Sequence, residues 1–134
     1  MDITVLADYF DEKVSVHELK ETIAEEVAET ERSKALEKDV LKVYINNKCA
    51  YRLTAVNFIG MLNDYLSGAL TSAELEYIFN VLEFLDDSWD IDEKVEKVYQ
   101  LMAEPIIDYP INKENVSASR DFLNGATVDL LLEV

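Results

Sequence analysis

The densest run of chemically capable side chains is Asp86-Asp-Ser-Trp-Asp-Ile-Asp-Glu93. Carboxylates at this spacing could hold a hard cation. A calcium loop, however, needs oxygen ligands at alternate positions, a glycine at the sixth and a carboxylate at the twelfth. Counted from Asp86, those two places hold Ile91 and Lys97, so the pattern fails on both. The single histidine, His17, excludes every catalytic or metal motif that needs two, including a di-iron bundle with its paired Glu-x-x-His motifs. The single cysteine, Cys49, excludes a disulfide framework and a multi-cysteine zinc site. Lys48 and Arg52 could activate its thiol, but no base or resolving thiol is nearby in sequence. Paired carboxylates could serve glycoside hydrolysis, yet that chemistry needs a deep sugar cleft, which small helical bundles seldom have. The sequence therefore yields no catalytic residue, no metal site and no cofactor, and reads as a binder rather than an enzyme.

The elements that would carry these residues are helical. The chain has 134 residues, a hydrophobic fraction of 49% and only three glycines and two prolines. That length fits a single domain spanning residues 1–134, and that composition supports a core. Apolar residues recur at helical spacing. A short helix is expected over residues 3–10. Ser15-Val-His-Glu18 is a capping-box pattern opening a long helical stretch to about Asn46, with a break expected near Thr30–Ser33. Its stripes are Val16, Leu19, Ile23 and Val27, then Leu36, Val40, Val43 and Tyr44. Asn46-Asn47-Lys48 reads as a turn. Thr54 caps a broadly apolar helix to about Leu66, expected in the middle of the bundle, and Gly68 closes it. Thr71-Ser-Ala-Glu74 is a second capping box for a helix to about Asp86. A further helix is expected from Asp90, with Glu93 at the matching capping position, to the stop at Pro105. A last helix is expected over 113–123, closed by Gly125, and Thr127 could cap a final turn. The fold class is all-α, a single-domain bundle of about five or six helices.

Charge then narrows the partners. Twenty-eight acidic residues against twelve basic ones give a net charge of −16. Such a chain repels nucleic acid and anionic lipid and attracts basic surfaces. No basic residue stands between Arg52 and Lys94, whereas that span holds Asp64, Glu74, Glu76, Glu83, Asp86, Asp87, Asp90, Asp92 and Glu93. Unrelieved charge of one sign destabilises a compact state, so this span reads as a functional acidic face. Tyr77 and Phe84 lie off the core stripe of their helix, which fits either two-sided packing or a partner contact. Trp89, inside the acid run, is expected to be partly exposed. Acidic rims around aromatic anchors suit tight binding to a basic protein. The candidate partner-binding residues are Asp64, Glu76, Tyr77, Glu83, Asp86, Asp87, Trp89, Asp90, Asp92 and Glu93. A second acidic cluster, Glu25, Glu26, Glu29 and Glu31, is interleaved with bases and reads as a solvated helix surface. The N-terminal residues have neither the basic nor the apolar region of a signal peptide, and no stretch is apolar enough to span a membrane. A cytoplasmic protein, monomeric when free, is expected.

The segment Asn63-Asp-Tyr-Leu-Ser-Gly-Ala-Leu-Thr-Ser-Ala-Glu-Leu-Glu76, with the helix after it, resembles small bacterial immunity proteins. The likeness is nearest to the colicin D immunity type. It covers about Thr54 to Leu123, whereas the first 50 residues do not match. Immunity proteins of contact-dependent growth-inhibition systems are likewise small and often acidic. The resemblance implies a dedicated inhibitor of one cognate toxin, commonly a basic nuclease acting on RNA or DNA. The charge reading agrees, since carboxylates can stand where nucleic-acid phosphates would sit. The alternatives are an acidic secretion or assembly chaperone, a nucleic-acid mimic that inhibits a DNA-binding protein, and a small carboxylate enzyme.

Overall fold

The computed structural model describes residues 1–35, 45–47, 49–85, 87–103 and 109–125. Six helices and two very short strands follow in the order α1 (Ile3–Phe10), α2 (Val16–Ala35), β1 (Tyr51–Leu53), α3 (Ala55–Leu66), α4 (Ser72–Glu83), β2 (Trp89–Ile91), α5 (Glu93–Ala103) and α6 (Lys113–Leu123). The chain is an all-α bundle to which β1 and β2 add one parallel pair, with Tyr51 opposite Trp89 and Leu53 opposite Ile91.

Local chemistry sets most helix ends. Asp2 accepts from the Thr4 N–H at the start of α1. Thr54 accepts from the Asn57 N–H at α3, and Asn112 from the Asn115 N–H at α6. The Ser15 hydroxyl accepts from the Glu18 N–H at α2. At α4 the capping box is complete, with the Thr71 hydroxyl and the Glu74 carboxylate each satisfying the other's backbone N–H. Gly68 and Gly125 take the left-handed conformation just past α3 and α6, where a side chain would be strained.

The buried side chains form one core cluster. α3 packs against α1, α5 and α6, and α4 packs against α2 and α5. The most enclosed helix is α4, whose Leu75, Tyr77, Ile78, Phe79, Asn80, Val81 and Leu82 are all buried. α3, expected in that central place, instead leaves Val56 80% exposed. Stacked rings run through the centre, with Phe58 5.8 Å from Phe79 and Phe10 6.5 Å from Phe58.

Three expectations are corrected. α2 shows no break at Thr30–Ser33 and runs unbroken to Ala35. The Thr30 hydroxyl bonds back to the Glu26 carbonyl at 2.9 Å, so that side chain is absorbed by the helix and does not compete with it. The helix expected from Asp90 starts at Glu93, because Trp89–Ile91 pairs with β1. Its first turn is capped by Asp92, whose carboxylate accepts from the Lys94 N–H at 2.9 Å. α4 ends at Glu83, short of Asp86. The second stripe of the long helical stretch, Leu36 to Tyr44, and the cap expected at Thr127 lie outside the described residues.

Candidate partner-binding groove

The end of α4, strand β2 and the second turn of α5 enclose an open groove of about 800 Å³. The capping box starts α4 at a defined residue, so its last turn delivers Glu83 and Phe84 to one wall. The pairing of β2 with β1 holds Trp89, Asp90 and Ile91 along the floor. Helical spacing on α5 presents Glu96, Tyr99 and Gln100 from the other side. Carboxylates of Glu83, Asp87, Asp90 and Glu96 thus surround an apolar lining of Leu82, Phe84, Leu85, Ile91 and the two large aromatics.

Phe84 is the unusual member. It is 59% exposed, whereas nearly every other large apolar side chain of the described residues is covered. Exposing a phenyl ring at the rim of a groove leaves apolar area that a partner can desolvate, at about 25 cal/mol per Å². Tyr99 reports the electrostatics of the same place. Its hydroxyl is pushed up to about 12, first by burial and then by the charges of Glu96 and Glu83. Arg52 is 2.7 Å from Asp90, and both side chains are mostly exposed, so this ion pair contributes at most about 1 kcal/mol. Among the described residues no group of three His, Cys, Asp or Glu side chains is placed to hold a metal ion. No described helix is long and apolar enough to cross a membrane.

Of the ten candidate residues, Glu83, Asp87, Trp89 and Asp90 line this groove. Asp92 and Glu93 stand at the start of α5, exposed, with Asp92 serving as cap. Asp64, on α3, lies outside this groove and accepts the Tyr9 hydroxyl. Asp86 lies outside the described residues. Glu76 is half-buried and Asn80 is buried, so the polar edge of α4 is not a continuous acidic ridge.

One aromatic expectation is overturned, at Trp89, and of the two readings open for Tyr77 the structure shows packing. Trp89 is only 5% exposed, because its ring packs 4.7 Å from Tyr51 and 6.3 Å from Phe10. Its indole Nε1 has no hydrogen-bond partner among the described residues. Tyr77 is 2% exposed and gives its hydroxyl to Glu26 at 2.6 Å, so it is a core residue facing α2. The span read as unrelieved is also partly paired. Besides Arg52 with Asp90, Lys20 stands 3.6 Å from Glu74. Phe84, Ile91, Glu96 and Tyr99 were absent from the candidate set. Phe84 alone carried a signal, its place off the core stripe, since Ile91 joins the groove through the β1–β2 pairing and Glu96 and Tyr99 through the packing of α5 on α4. Comparison with protein-family models, with curated proteins and with solved structures finds no match to this chain.

Proposed function

We propose that this chain is a cytoplasmic immunity protein that neutralises a cognate basic toxin, a nuclease of the RNase or DNase type. The observation that carries the reading is Phe84, 59% exposed on a groove ringed by Glu83, Asp87, Asp90 and Glu96. A nuclease holds phosphates with lysines and arginines, and these are the side chains such a ring attracts. Charge then speeds encounter, while the phenyl ring supplies area that is desolvated only in the complex. Inhibition of this kind needs no catalytic residue in the inhibitor. The free chain is a monomer, because a net charge of −16 opposes self-association.

The test has two stages. The tagged chain is used to capture its partner from the native host at moderate salt, and the partner's basic domain is then assayed as a nuclease. One stoichiometric partner, whose nuclease activity falls to zero at a 1:1 ratio, is the expected result. Several unrelated basic proteins that leave together as salt rises would replace this reading with a nucleic-acid mimic. Affinity for short unfolded segments, with a dimeric mass, would replace it with a chaperone.

A further inference from the structure

A second open groove, of about 590 Å³, runs between the α1–α2 turn and the outer face of α3. Both walls carry residues that the fold itself disfavours. On α3, Gly60 sits in mid-helix, where glycine is among the least favourable residues. A Cβ at that position would meet nothing within 4 Å, so no packing inside the chain requires the glycine. One turn earlier, Val56 is 80% exposed on the same face. On the facing turn the choice is reversed. Glu12 has φ +62°, the left-handed position closing α1 where glycine is the usual occupant, and Lys13 N–H bonds back to the Asp8 carbonyl at 2.7 Å. Glycine stands where the helix resists it, and a carboxylate stands where the turn would take glycine.

We infer that this groove is a docking surface for an amphipathic helix of a partner protein bearing lysine or arginine beside its apolar face. The missing side chain at Gly60 lets a second helix approach α3 closely, and Val56 gives that helix an apolar ridge to pack on. Glu12, Asp11 and Asp64 on the rim set the sign of the complementary charge, with Lys13 as the one base there. The same sign argues against a second copy of this chain, which carries −16 itself. The inference concerns a different surface from the Phe84 groove and does not depend on the toxin reading.

The probe is a synthetic helical peptide with leucine and alanine on one face and lysine on the other, titrated into the full ¹⁵N-labelled chain. The expected result is a set of amide shifts centred on Val56, Gly60 and Glu12. Gly60→Leu should leave the thermal midpoint equal or higher and weaken peptide binding about tenfold or more. Phe84→Ala should leave the peptide's affinity for this groove unchanged. Shifts spread evenly over the acidic surface and indifferent to Gly60→Leu would overturn the inference, as would the absence of shifts at these residues. Shifts confined to the Phe84 groove would overturn it while leaving the toxin reading intact.

Discussion

α2 and the groove built by α4, β2 and α5 are both rich in acid, and they use it in opposite ways. On α2, Glu26 accepts the Met1 ammonium at 2.8 Å and the Tyr77 hydroxyl at 2.6 Å, and it is mostly buried. Glu21 lies 2.9 Å from His17, while Lys20 reaches across to Glu74 on α4. Here Glu26 and Lys20 tie the helix to its neighbours, while the His17–Glu21 pair stays on its exposed surface. Around the groove the carboxylates of Glu83, Asp87, Asp90 and Glu96 are instead exposed beside an exposed phenyl, and the ion pair of Arg52 with Asp90 is itself open to solvent. Acid count alone does not separate the two regions. What separates them is burial: Glu26 is enclosed with its partners, whereas the groove carboxylates stay open to solvent beside an apolar side chain.

The contrast can be broken most forcefully at Glu26. Glu26→Ala leaves a buried ammonium and a buried phenol without their acceptor, and should lower unfolding free energy by about 3 kcal/mol in denaturant titration. A change below about 1 kcal/mol would place α2 in the same class as the groove. The counterpart is Phe84→Ala. It should weaken partner binding by about 2 kcal/mol, read by calorimetry, and change stability by less than about 0.5 kcal/mol. A comparable loss of stability would make Phe84 a core residue.

A third measurement sharpens the comparison through tyrosines on both sides. Tyr77, facing α2, and Tyr99, at the groove, are both held above the usual value of about 10, first by burial. Tyr9 and Tyr51 are raised as well, again chiefly by burial and then by their bonds to Asp64 and Asp11. A raised phenol favours the folded state only while it stays protonated. The stabilisation is therefore complete below pH about 10 and is lost as pH rises above it, through about 12 for Tyr99. Stability should fall by about 1 kcal/mol per pH unit for each such tyrosine, and phenolate absorbance should appear together with unfolding. Tyr77→Phe should reduce this alkaline slope. Smallest of all is Arg52→Ala, which removes an exposed ion pair and should change stability by less than about 1 kcal/mol. A larger loss would mean that the groove too is held by its charges.

Much of the frame is readable from local signals. Ser15, Thr54 and Thr71 announce helix starts, and Gly68 and Gly125 announce ends, because each acts through its own neighbours in the chain. The 113–123 helix falls where the pattern puts it. The candidate site is less readable. Asp90 and Glu93 mimic a capping box, yet the backbone at Trp89–Ile91 is taken by β1, some forty residues earlier. Three residues are too few for a period-two pattern to register. That same pairing buries Trp89 against Tyr51, so the aromatic that looked exposed is covered, and the exposed one is Phe84. Tyr77 is drawn inward by Glu26, which lies on a helix whose acids all look alike in sequence.

The most direct test of the account is charge reversal on the groove rim, Asp87→Lys together with Asp90→Lys, measured for thermal stability and for affinity to the captured partner across a salt series. The account predicts a thermal midpoint within a few degrees of the parent, an affinity loss of about a hundredfold or more at low salt, and a flatter salt dependence. An unchanged affinity and salt slope in a folded variant would contradict it and remove the groove as the binding surface.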